Sequence, residues 1–270
     1  AFEPDAREGA PLNAGQREFL RWIFVPALVT PVPSTTGTRE LYLTRSPECS
    51  SMLRPRTETL QSWAFGDSFE VVKSRAVPAV TLAETLTTQG IDRLDWLKCD
   101  TQGLDFQIYC SLPVAWRHRL LVADFEPGLI DAYEGEDRLP TVMAGMQAEP
   151  FLVAGLEVRH MARRGPVSWS PAQRRWLRRL VPGAPAWVNL RYLRDVQREP
   201  DLLDRRAYLL AWTFASLGGL HDHALEVATK GGREHGGELF AAMAADSERR
   251  LRQAMIRGLP GWLGRRRWSR

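Results

Sequence analysis

The run LDWLKCDTQGLDFQI (94–108) constrains this chain more than any other segment. Leu94 to Cys99 reads as a short apolar strand, Asp100 closes it, Gly103 turns the chain, and an amphipathic helix follows from about Leu104 to Leu112. A strand that ends in a carboxylate and turns into a helix is the first half of a βαβ unit. In an open α/β sheet, ligands sit beyond the carboxyl ends of the strands. Asp100, Gln102 and Gly103 are therefore placed at a candidate site. Asp100 can meet a ligand there, or cap the following helix, and the two roles are compatible.

The flanking sequence extends the same pattern. Ala1 to Asp5 (AFEPD) reads as the acidic end of a strand, and residues 6–21 as a polar surface helix. Ile23 to Val29 is a β-branched apolar run, 33–37 is a turn, and Glu40 to Thr44 reads as the partner strand. The loop 46–51 carries the hydroxyls of Ser50 and Ser51. Phe69 to Arg75 is a further strand, and Thr81 to Thr87 a helix whose Thr81 and Glu84 form a capping box. Leu120 to Phe125 is an apolar strand ending in Asp124 and Glu126, and Phe151 to Arg159 is the last strand expected. Alternating strands and helices argue for an α/β fold with a mainly parallel sheet.

Beyond about residue 165 the periodicity becomes helical, in Pro171 to Leu180, Trp187 to Gln197, Leu202 to Lys230 and Glu238 to Arg257. Two regions are expected: an α/β core over 1–163 and an all-helical appendage over 164–270.

The composition excludes several classes. No stretch of roughly 18 apolar residues is present, so no membrane span is expected. No basic-then-apolar leader opens the sequence. Cys49, Cys99 and Cys110 are odd in number and unpatterned, which fits reduced thiols and a cytoplasmic location. No His-Glu-x-x-His or Cys-x-x-Cys pattern occurs, so no metal site is expected. No Gly-x-Ser-x-Gly surrounds the serines, which argues against a serine hydrolase. Residues 1–150 carry a net charge of −7 and residues 151–270 a net of +11. The basic run 264–270 reads as a solvated chain end, and acids interspersed with arginines across the helical region weigh against a nucleic-acid partner.

Three segments, AFEPD (1–5), LYLTRSPECSSML (41–53) and LDWLKCDTQGLDFQIY (94–109), together resemble the FkbM family of methyltransferases in order and spacing. The resemblance covers roughly residues 1–160. It implies a Rossmann-like fold, S-adenosylmethionine as cofactor, and O-methylation of a sugar, glycan or other small hydroxyl compound. It implies that Glu3, with Asp5 beside it, lies near the ribose hydroxyls, and that Asp100, with Gln102 and Gly103, lies near the cofactor's methionine end or the acceptor. Ser50 and Ser51 would stand at the mouth of the site. Two features depart from the family. The glycine-rich strand and loop that should precede Glu3 are not in the sequence, so the chain is expected to be an N-terminally incomplete piece or a member that has lost part of its site. Asp105 stands where the family has Glu.

Methyl transfer to a hydroxyl needs alignment of donor and acceptor, which can supply on the order of 7 kcal/mol, and a base for the hydroxyl proton. Asp100 and Asp124 are the candidate catalytic carboxylates, with Glu126 beside the acceptor. Two other readings stand beside this one: a non-catalytic binding or scaffold protein on a decayed methyltransferase core, and a Rossmann-like enzyme that uses a nicotinamide cofactor.

Overall fold

The computed structural model of the chain describes residues 1–5, 7–9, 19–165, 168–198 and 203–265, the side chains of 177, 178 and 258–265 excepted. Most of the helix expected over 6–21, and most of the basic run 264–270, lie outside those residues; a helical turn at 7–9 is described.

The chain is a mixed α/β structure with two small mixed sheets. The first has β1 (Leu28–Val29), β2 (Thr38–Thr44) and β3 (Val71–Val80), in the order β1-β3-β2. β1 is parallel to β3, and β2 antiparallel to it with Leu41 opposite Arg75. The expected pairing of Glu40–Thr44 with Ile23–Val29 is therefore corrected, because β3 lies between them. β3 is 10 residues long, enough for one edge to hold all of β2 while the other holds β1 at its far end. Phe2 forms a parallel bridge with Val25, so the AFEPD segment runs alongside the entry to β1.

The second sheet has β4 (Trp96–Lys98), β5 (Val122–Phe125), β6 (Phe151–Met161) and β7 (Ala184–Arg194), in the order β4-β5-β7-β6. β4 and β5 are parallel, and β7 is antiparallel to both of its neighbours. β6 consequently points the same way as β4 and β5. This corrects two expectations at once: the sheet is mixed, and the region after 164 is not all helical. Trp187–Gln197 was expected as helix, yet most of it lies in β7. Its burial alternates, with Ala186, Val188, Leu190 and Tyr192 buried, which is the period of a strand. A strand from beyond residue 164 thus completes the sheet of the first region.

Helices pack on both faces of this sheet. On one face α1 (Thr57–Leu60) lies apart, while α2 (Leu82–Thr88), α3 (Asp105–Ser111) and α5 (Leu139–Met146) bury Leu86, Ile108 and Met146 against Leu97, Phe125 and Leu190. The short α4 (Val114–Arg117) leads into β5. On the other face α7 (Arg205–Leu217), α8 (His221–His235) and α9 (Glu238–Arg265) bury Tyr208, Val227 and Phe240 against Val122 and Leu193. α6 (Pro171–Leu180) lies in the connection between β6 and β7. The Leu202–Lys230 segment breaks into α7 and α8 at Gly218-Gly219, where Gly219 takes φ +75°. The expected capping box forms in part: Glu84 N donates to Thr81 Oγ1 (3.3 Å), while the Glu84 carboxylate accepts from the Thr81 hydroxyl (2.7 Å) instead of the Thr81 backbone N–H. Among the described residues, no helix is long and apolar enough to cross a membrane.

Candidate functional site

β4 and β5 are adjacent and parallel, so Asp100 and Glu126, just past their ends, emerge at one rim of the sheet. Lys98 Nζ bridges them, 3.3 Å from Asp100 Oδ2 and 3.2 Å from Glu126 Oε1. Burial pushes the Glu126 carboxyl above its ordinary range, Asp100 adds to the rise, and Lys98 opposes it.

Two aspartates that the sequence did not single out as ligands build this rim. Asp105 is 3% exposed. Its Oδ1 accepts from Thr101 N (2.8 Å) and Thr101 Oγ1 (2.7 Å), and its Oδ2 accepts from Glu126 N (2.8 Å). One buried carboxylate therefore ties the loop after β4 to the end of β5. Burial raises its pKa and these donors work against the rise. Asp137 caps α3 from 30 residues away: its Oδ2 accepts from Phe106 N (3.0 Å) and Gln107 N (2.9 Å). Asp100 does not cap that helix, whose N-cap residue Leu104 has no side-chain cap bond. The capping role expected for Asp100 is thus filled by Asp137, which leaves the Asp100 carboxylate at the rim, where it accepts from Gln102 Nε2 at 2.8 Å.

The turn between them is tightly held. Gln102 is, among the described residues, the only non-glycine with positive φ (+55°), and Gly103 follows at +116°. A Cβ on Gly103 would stand 2.9 Å from both Glu136 Cβ and Leu53 Cδ1. Gln102 O accepts from Ser51 Oγ (2.8 Å), and Gln102 Oε1 lies 3.2 Å from Tyr133 Oη. An αL non-glycine residue costs on the order of 1 kcal/mol and persists only where its surroundings hold it.

Two cavities open beside this turn. The first, about 350 Å³, has apolar walls that include Phe2, Val29, Leu41 and Met52, and polar walls that include Glu3, Asp5, Ser50 and Asp100. Glu3 and Asp100, expected at opposite ends of one ligand, therefore face one space. Burial raises the Glu3 carboxyl, and the charges of Asp5, Glu8 and Asp100 add to the rise. Glu3 Oε1 accepts from Asp5 N at 2.7 Å. The second cavity, about 420 Å³, shares Glu48, Asp100 and Gln102 with the first. Its walls include the rings of Phe65, Phe69, Tyr133 and Trp187, and the carboxylates of Glu126 and Glu136. Glu136 escaped the sequence reading. Burial pushes its carboxyl up to about 7, while backbone N–H groups of Ala132 and Tyr133 oppose the rise. Among the described residues, no lysine, arginine or histidine lines either cavity.

Not every expected residue is free to act. Asp124 lines neither cavity. It shares a strand face with Val122, opposite Ala123 and Phe125. Arg191 clamps both its oxygens (2.7 and 2.9 Å), and Trp96 Nε1 donates to Oδ2 at 2.9 Å. Its candidacy as the base is corrected: a carboxylate with a bidentate arginine is neutralised and turned from the rim. Ser51 is 2% exposed, and its hydroxyl donates to Gln102 O and accepts from Leu53 N (3.0 Å), so it pins the turn rather than meeting a substrate. Ser50 Oγ lies 3.1 Å from Arg7 Nη2 and accepts from Thr44 N at 3.2 Å. Asp5 is buried; burial would raise its pKa, but Arg7 holds it below the usual range through Nε and Nη2. Asp5 thus anchors the cavity wall, leaving Glu3 as the available carboxylate.

Compared with protein-family models, with curated proteins and with solved structures, the chain finds no match.

Proposed function

We propose that the chain transfers a methyl group from S-adenosylmethionine to a hydroxyl of a small molecule or glycan, on a Rossmann-like core. The observation that carries this reading is the meeting of two cavities of ligand size at the Asp100–Gly103 turn, on the carboxyl rim of parallel strands. Helices on both faces of a sheet with β4, β5 and β6 alike in direction support the Rossmann-like assignment.

The first cavity fits the donor in its chemistry. Its apolar walls suit an aromatic base, the Glu3 carboxylate suits two vicinal hydroxyls, and Asp100 suits a cationic group. When bound, the donor supplies a methyl already activated by its sulfonium charge. What remains for the protein is alignment, exclusion of water and removal of one proton. The second cavity holds the acceptor against Trp187 and Phe65. Glu136 takes the hydroxyl proton: a carboxylate with its pKa near 7 is matched to that task at neutral pH, whereas an ordinary carboxylate is too weak a base. With four carboxylates and no cation on its described walls, this cavity admits neutral or cationic acceptors and rejects anionic ones.

The test is calorimetric titration of the protein, as its gene encodes it, with S-adenosylhomocysteine. One-to-one binding is expected, weakened about tenfold or more in Glu3→Gln through loss of charge-assisted hydrogen bonds. If no heat of binding appears, the enzyme reading fails and the non-catalytic reading takes its place.

A further inference from the structure

The connection between β6 and β7 is a basic, apolar excursion unlike the rest of the chain. From Val158 to Arg194 there are nine arginines and no acidic residue. Some of these arginines belong to the body of the protein: Arg159 pairs with Glu157, Arg164 with Asp67 and Arg191 with Asp124. Those of α6 do not. No carboxylate lies against Arg175 or Arg179 among the described residues, and both are exposed. The apolar residues of the same excursion are exposed too: Trp176 is 56% exposed, Leu180 74% and Val181 50%. At 100° per residue, Trp176 and Leu180 share one side of α6, Arg174 and Arg175 point away from it, and Arg179 flanks it with its guanidinium 5.8 Å from the Trp176 ring centre. Apart from the Arg179 guanidinium, no other element is packed on the apolar side among the described residues, and Trp176 and Leu180 stay open to solvent.

We propose that α6 docks on the surface of a membrane that contains anionic lipid. An apolar side flanked and backed by arginines is what an interfacial helix requires: the apolar side enters the acyl boundary, and the arginines reach back to the headgroups. Tryptophan is the side chain best suited to that boundary. A single-stranded nucleic acid stacks its bases on aromatic rings, and the exposed aliphatic side chains of Leu180 and Val181 offer it no such partner. The helix is 10 residues long, too short to span and long enough to lie in the interface. This docking does not depend on the methyl-transfer reading.

The test is co-sedimentation of the whole chain with phosphatidylcholine vesicles, with and without phosphatidylglycerol. Binding is expected only with the anionic lipid, weakening as salt rises, with a blue shift of tryptophan emission. Arg175→Gln with Arg179→Gln should weaken it about thirtyfold. Trp176→Ser with Leu180→Ser should abolish the blue shift while leaving the circular dichroism melt unchanged, since both side chains are exposed. Equal binding to both vesicle types, binding unaffected by either double variant, or no vesicle binding would each overturn the proposal. So would binding to single-stranded RNA, or self-association through Trp176, in place of vesicle binding.

Discussion

Asp105 and Glu136 show how much of the site rests on single buried carboxylates. Asp105 joins two loops through three hydrogen bonds, and its removal leaves the N–H groups of Thr101 and Glu126 without their acceptor. Asp105→Ala should cost about 3 kcal/mol in urea unfolding, far more than a surface substitution. Glu136 acts in the opposite sense. Its carboxyl titrates near 7 in the folded chain and near 4.5 when unfolded, so the native state binds the proton more tightly. Native stability therefore falls as pH rises from about 4.5 to about 7 and is level outside that window. Glu136→Gln should be the more stable protein above pH 7, by up to about 3 kcal/mol, and the difference should vanish below about pH 4.5. Unfolding curves across that range check it. Neither residue's role was legible in the sequence. Asp105 was visible beside Gly103, but its partner at Glu126 is 21 positions away. Glu136 sits in an acidic, exposed-looking run whose burial depends on ring packing from distant segments. That Glu3 and Asp100 would face one space was legible because Asp100 lies just past β4 and Glu3 just past the bridge at Phe2, and both positions are local properties of the sequence.

At the scale of elements, local chemistry and distant chemistry divide the outcome cleanly. The N-cap bond from Glu84 N to Thr81 Oγ1 spans three residues and was readable at once. The cap of α3 was not, because Asp137 arrives from another loop. Asp137→Ala should lower stability by about 1–2 kcal/mol and speed amide exchange at Phe106 and Gln107 ahead of the rest of the helix. The strand β7 was misread because Trp187 and Leu193 add apolar residues on its outer face, masking the alternation of Val188, Leu190 and Tyr192. Asn189 and Arg191 do alternate with Val188, Leu190 and Tyr192, but over too few residues to outweigh the helical spacing of Trp187, Leu190 and Leu193. The turn at Gly103 gives an independent check. Gly103→Ala meets both a positive φ and a 2.9 Å approach to Glu136 and Leu53. It should cost about 2 kcal/mol and weaken ligand binding in both cavities, as unfolding and titration of the same sample will report.

For the whole molecule, the decisive fact is that the sheet is completed from the second half of the sequence. Arg194, 2% exposed, donates from Nε to Leu120 O (3.1 Å) and from Nη2 to Arg117 O (2.8 Å), and lies over the Phe151 ring at 4.8 Å. It binds the two regions that the sequence suggested would be separate. A chain cut after residue 163 should fail to give a cooperative unfolding transition. One cut after residue 198 should retain strand signal by circular dichroism but bind hydrophobic dye, because Leu121, Val122 and Leu193 lose the cover of α7 and α8. Two independent domains would instead leave the first fragment fully folded.

The placement of β7 also orders events in time. β5 and β6 are synthesised before it, yet neither touches the other until it slides between them. A ribosome-bound chain that stops short of Arg194 presents two open strand edges, the kind that recruit other chains. The interval between translation of residues 161 and 194 is thus the moment at which this protein is most exposed to aggregation, and most in need of a chaperone's protection.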